Sequence, residues 1–194
     1  MVADDPEEIY PFPTLPDLLA PGLRLVFVGI NPSVYSVARG HYFARRTNRF
    51  WPGFSRSRLS APIRAALGRD VLDPEDDVAL PTFGIGFTDC VKVPSPNASS
   101  LRPADYAEWT PRLLRRIERY QPVVACFHGV TGYRAFWQYA LGEILDRVAL
   151  GPQPRELSRT RLYVAPNPSP ANAHYRLEDQ VLWYDRLADY LSEM

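Results

Sequence analysis

Little in this sequence supports a metal centre, a disulfide scaffold or a membrane span. Its 194 residues include two cysteines, Cys90 and Cys126, and three histidines, His41, His128 and His174. Two thiols cannot by themselves supply a four-ligand zinc or iron–sulfur site, and they form no disulfide framework. The histidines lack the i,i+4 pairing with acids that marks a zinc-binding helix. No apolar run approaches the roughly 18 residues that suggest a transmembrane helix. The first residues are acidic (Asp4, Asp5, Glu7, Glu8), without the basic segment and apolar stretch of a signal peptide. A soluble, reduced, cytoplasmic protein without a metal is expected. Neither glycine fingerprint, P-loop or dinucleotide-binding, is present.

Lysine is nearly missing too. The 22 basic residues are 21 arginines and Lys92, balanced by 22 acids to a formal charge of zero. A zero sum says little about partners; the distribution says more. Between Asp17 and Asp70 there is no acidic residue but there are nine arginines: Arg24, Arg39, Arg45, Arg46, Arg49, Arg56, Arg58, Arg64 and Arg69. Arginine offers a planar fork suited to phosphate, so this window predicts a face turned towards a polyanion. The competing readings are codon composition or a solvated face that meets nothing.

What is present is proline and an ordinary apolar core. Twenty prolines, about twice the average share of roughly 5%, argue for many fixed turns. With 46% hydrophobic residues, the length suits one domain over 1–194, with a Pro-rich N-terminal arm over 1–21. Four short apolar runs, 23–29, 84–91, 122–127 and 161–165, read as buried strands. Thr110 and Pro111 form an N-cap and N1 pair that predicts a helix over 111–120. Helical spacing covers 130–141, and an amphipathic stripe of Leu177, Val181, Tyr184, Leu187, Ala188 and Leu191 predicts a closing helix. The gaps between strands leave room for crossovers, so a small parallel sheet in an α/β domain is expected.

Open sheets of this kind bind ligands beyond the carboxyl ends of their strands. The first strand runs into Gly29-Ile30-Asn31-Pro32-Ser33, the second into Thr88-Asp89-Cys90, the third into His128-Gly129. The fourth runs into Pro166-Asn167-Pro168-Ser169-Pro170-Ala171-Asn172. Turn residues follow strands in any protein, so each segment alone is weak evidence. Asn-Pro-Ser recurring after the first and last strands is stronger.

Taken in order, Gly29-Ile30-Asn31-Pro32-Ser33, Phe43, Asn48-Arg49-Phe50-Trp51 and Pro166-Asn167-Pro168-Ser169 resemble the mismatch-specific uracil/thymine DNA glycosylases. The similarity spans about 19–190 and includes Leu19-Ala20-Pro21-Gly22-Leu23 at the entry to the first strand. It implies the uracil-DNA glycosylase superfamily fold, a three-layer sandwich with a central four-stranded parallel sheet flanked by helices. It also implies an enzyme that removes flipped uracil, and in some members thymine, from DNA without metal or cofactor; double-stranded DNA is the expected partner, and a monomer is expected because processing one base needs only one copy. By this resemblance Asn31 positions the hydrolytic water and Phe43 stacks on the extruded base. Ile30 and Asn167 join Phe43 in the base pocket, and Ser33, Ser169, Pro170, Ala171 and Asn172 face the DNA. Two departures stand out: Ser33 replaces a glycine, and Pro170-Ala171-Asn172 replaces Gly-Leu-Ser.

The chemistry explains the residue types. Breaking the N-glycosidic bond leaves an electron-poor sugar and an anionic base, so donors must face the base and a held water must face the sugar. Main-chain N–H groups of the 29–33 turn suit the first task. An asparagine oxygen orients a water by accepting one of its protons, and a carboxylate does so more strongly. Asp89 is therefore a second catalytic candidate, supplementing or partly replacing Asn31; its alternative is a cap or a salt bridge. Two other functions stay open: a relative with altered base choice (hypoxanthine, xanthine or ethenocytosine), and a non-catalytic DNA-binding module on the same fold.

Overall fold

Alternation within the first strand sets the layering. In β1 (Leu25–Gly29), Leu25 and Phe27 face one side of the sheet, and Val26 and Val28 the other; all five residues are buried. Burial on both faces demands helices on both sides. The computed structural model has them. It describes residues 10–194; the acidic Asp4, Asp5, Glu7 and Glu8 and the start of the Pro-rich arm lie outside the described residues.

Four strands follow: β2 (Ile85–Asp89), β3 (Val124–His128), β4 (Gly151–Leu157) and β5 (Thr160–Ala165). Their order is β2-β1-β3-β5-β4, with β2, β1, β3 and β5 parallel and β4 antiparallel to β5. The sheet is thus mixed and five-stranded, which corrects the expectation of four parallel strands. The extra strand, Gly-Pro-Gln-Pro-Arg-Glu-Leu, has two prolines and no apolar alternation, and only its end residues are buried. Proline is tolerated there because an edge strand has one side on which no ladder donor is needed.

The helices are α1 (Val34–Arg39), α2 (Phe50–Arg56), α3 (Ala61–Leu67), α4 (Pro103–Tyr120), α5 (Val130–Leu141) and α6 (Leu177–Ser192). Phe27, Phe87 and His128 meet Phe50, Phe54 and Tyr184 from α2 and α6 on one face. Val26, Val28 and Phe127 share the other core with Trp109, Leu113, Ile117, Phe136 and Trp137 from α4 and α5. The start of α4 differs from the expected one. Pro103 occupies the first turn, and the Asp105 carboxylate accepts the Arg102 N–H at 2.7 Å. Pro111 lies inside the helix, where it cannot donate; the Thr110 hydroxyl bonds back to Tyr106 O at 2.9 Å, and buried Trp109 and Leu113 carry the helix past it.

The arm is tied to the molecule. Leu18 and Phe87 exchange main-chain hydrogen bonds of 2.9 and 3.0 Å, covering the outer edge of β2. This approach requires Gly86, since a Cβ there would lie 2.4 Å from Leu18 O. No described helix is long and apolar enough to cross a membrane.

Candidate active site

Strand register brings the predicted segments to one level. Gly29 pairs with Asp89, Val28 with Phe127, and His128 with Ala165, so the turns leaving β1, β2, β3 and β5 surround a common cleft. Its volume is about 120 Å³. An enclosed cavity of about 150 Å³ holds benzene, so a cleft of this size, open on one side, suits a single ring. Ile30, Asn31, Ser33, Phe43, Asp89, Asn167, Ser169 and Pro170 line it, and so do Arg45, Asn48, Ser95 and His128. The Ile30 side chain packs against Gly132 of α5, so Ile30 meets the cleft through its main chain.

Asn31 is oriented by its amide. Nδ2 donates to Val93 O and Ser95 Oγ, both at 2.8 Å, with Pro32 O at 3.2 Å. These acceptors use up both amide protons and fix which side-chain atom is nitrogen. Oδ1 is left without a donor among the described residues. Ser95 is itself held, donating to Asn97 O at 2.7 Å and pairing with the 32–34 turn through main-chain bonds of 3.2 and 3.3 Å. Ser33 caps α1, its Oγ accepting the Ser36 N–H at 3.0 Å.

Phe43 sits in a backbone conformation that non-glycine residues rarely adopt, with φ of 54°, and such strain persists only where neighbours enforce it. Here they do. Asp77 accepts the Tyr42 N–H at 2.8 Å and contacts His41 Nδ1 at 2.9 Å. Trp51 Nε1 donates to Tyr42 O at 2.8 Å, and the Ala44 N–H donates to Ser36 Oγ at 3.2 Å. Phe50 stacks on one face of the ring, with centroids 4.5 Å apart, and the partly buried ring lines the cleft.

Asp89 ends β2 with its side chain 3% exposed. The carboxylate occupies the space above Gly29: a Cβ there would lie 2.4 Å from Asp89 Oδ1 and 3.8 Å from the Phe43 ring. Lys92 Nζ stands 3.7 Å from Oδ2, beyond hydrogen-bond reach, and Oδ2 has no hydrogen-bond partner among the described residues. Burial pushes the carboxyl up to about 6, against the pull of Lys92.

The family model described as the uracil DNA glycosylase superfamily matches residues 16–189. The chain belongs to that superfamily. Membership implies a DNA glycosylase, a hydrolase acting on DNA, and the match stays at this level, above the mismatch-specific uracil/thymine family that the motifs resemble.

In this superfamily member the turn after β5 is an organised loop. Asn167 Oδ1 accepts the Ser169 N–H at 2.9 Å, leaving Nδ2 as a donor beside Gly129. The Asn172 amide donates to Asn167 O at 3.0 Å, and Pro170 and Ala171 form the exposed tip. Arg49 holds the loop from beneath, its guanidinium bonding Ser169 O (2.9 Å), Asn172 O (2.8 Å) and Tyr175 O. Sequence reasoning placed Arg49 in a polyanion-facing window; the structure spends it on carbonyls.

Other arginines of that window are also engaged. Arg24 bonds Leu191 O; Arg58 pairs with Asp185 and Asp189, and Arg69 with Asp73 and Asp76. Arg39, Arg56 and Arg64 reach Glu75, Glu178 and Asp70 O. The exposed side chains of Arg45 and Arg46 have no ion pair or hydrogen bond among the described residues, and Arg45 lines the cleft.

His128, left unassigned by sequence, is buried at the end of β3. Its Nε2 meets Tyr184 OH at 2.9 Å while Nδ1 has no hydrogen-bond partner among the described residues. Burial pushes it down to about 3, so the ring is neutral. Its one sequence signal was position, a polar residue closing an apolar strand.

Proposed function

We propose that this protein hydrolyses the N-glycosidic bond of flipped-out uracil, chiefly in G·U mismatches of double-stranded DNA, leaving an abasic site. The observation carrying this reading is Asn31: its amide protons are tied to the protein, so its oxygen serves a cleft sized for one ring and walled by Phe43. Extruding the base costs a few kcal/mol, least at a weak pair. Stacking on Phe43 returns about 1–3 kcal/mol.

The water held by Asn31 Oδ1 attacks C1′ as the C1′–N bond breaks, and the bonding pair leaves with the base. Ionised Asp89 takes the water proton, and its charge opposes the positive character that develops on the sugar. Asn167 Nδ2 and the N–H groups of the 29–33 turn meet the departing anion. Pro170 and Ala171, exposed at the loop tip, act as the small apolar wedge that enters the duplex. One copy of the chain suffices.

Matched duplexes bearing G·U, A·U, G·T, hypoxanthine or ethenocytosine, assayed by alkaline strand cleavage, test this. G·U is expected to be released fastest, with Asn31→Ala and Asp89→Asn each slowing release by about 10²-fold. Binding without release by the wild type, or full activity in the double variant, overturns it. Faster release of hypoxanthine or ethenocytosine moves the reading to a member with altered base choice.

A further inference from the structure

Beneath Asp89 lies a buried set of charges that the proposed reaction does not use. Lys92, the chain's single lysine, has a fully buried side chain. Its ammonium stands between two carboxylates, 2.7 Å from Asp17 Oδ1 and 3.7 Å from Asp89 Oδ2, with Tyr42 OH at 3.3 Å. Asp17 is saturated: it also accepts from Thr88 Oγ1 at 2.7 Å and pairs with Arg116 at 2.8 Å. Asp89 receives no hydrogen bond from Lys92. The same cation is thus spent unequally, and the carboxylate facing the cleft gets its field without its proton.

That division matters chemically. A buried carboxylate with no cation nearby stays protonated and cannot take a proton from water. One hydrogen-bonded to an ammonium is ionised but a poor base. An ion pair at 3.7 Å, beyond hydrogen-bond reach, keeps the anion and leaves Oδ1, the oxygen above Gly29, to the cleft. We propose that Lys92 is a positioning residue that keeps Asp89 ionised from beneath, and that Asp17, on the N-terminal arm, sets how much of the Lys92 charge reaches it. This rests on the catalytic reading of Asp89 given above. The other groups around Asp89 are Arg116 from α4, which favours the anion, and Tyr42 from the 41–44 loop and Cys90 from its own strand end, both held in their neutral forms. Neutral His128 and the cationic Arg45 line the same cleft.

The test is the pH profile of single-turnover uracil release by the full chain from a G·U duplex, with the Asp89 carboxyl followed separately by carbon NMR without DNA. Wild type is expected to lose activity on the acid side with the Asp89 titration, and Asp89→Asn to abolish that limb. Lys92→Met is expected to move the limb and the NMR midpoint up by about 1–3 pH units, a loss of about tenfold in rate per unit at pH 5.5. Lys92→Arg restores it. Asp17→Asn is expected to move both downwards, because it removes a like charge. Opposite displacements cannot come from general damage to the fold, and Asp17→Asn serves even if Lys92→Met fails to fold. An unmoved NMR midpoint in Asp17→Asn and in whichever Lys92 variant folds, or displacement in one direction by both, overturns the proposal. A wild-type profile without an acid limb, beside an NMR midpoint that moves as stated, instead overturns the catalytic role of Asp89 and leaves the charge arrangement standing.

Discussion

Gly29 shows how much one absent side chain decides. The Asp89 carboxylate occupies the space that a side chain here would need, its Oδ1 2.4 Å from where a Cβ would stand. Gly29→Ala is therefore expected to push Asp89 aside. The overpacking costs about 1–3 kcal/mol of stability, whereas base release falls by about 10²-fold, as for direct loss of a general base. Thermal melting and single-turnover cleavage measure the two effects, and a variant with wild-type turnover removes Asp89 from the reaction. Asn31 and Phe43 were legible as residue types before any coordinates. What sequence could not supply was their support. Val93 and Ser95 bind the Asn31 amide across 62 and 64 residues of chain, and Asp77 clamps the Phe43 turn across 35.

At the level of elements, periodicity served well where one face is apolar. Helix α5 (Val130–Leu141) coincides with its predicted span, and α6 (Leu177–Ser192) extends one residue beyond its stripe. It failed where proline changed meaning with context. Pro111 reads as a helix start and is an interior residue; β4, with its two prolines, lies outside the four predicted strands and is an edge strand. The 167–172 loop was recognised by motif, but its shape depends on Arg49 from the turn before α2. Arg49→Ala is expected to speed amide exchange at 169–175 and weaken binding to G·U duplex. The stability loss is about 1.5–3 kcal/mol, that of hydrogen bonds to a charged group. Unchanged exchange in this loop would show that the prolines alone hold it.

On the scale of the molecule, zero net charge conceals an arrangement in which most arginines are already occupied. Arg58 and Arg69 neutralise acids of α6 and of the 73–76 turn, whereas Arg45, which lines the cleft, and its chain neighbour Arg46 stay exposed. Arg45→Ala and Arg46→Ala are each expected to weaken DNA binding across sequences and to lower the salt slope by about one. Arg58→Ala is expected to leave the slope unchanged; titration of fluorescent duplex at several salt concentrations reads both. The order of apolar runs, the Asn-Pro-Ser repeats and the aromatic motif near residue 43 were enough to determine an α/β sheet with polar segments gathered at its carboxyl edge, because such patterns are local. The fifth strand, the orientation of the Asn31 amide, the burial of Lys92 between two acids and the engagement of the arginines were decided only by tertiary structure. Each depends on atoms far apart in the chain, and no short-range pattern records the distance between them.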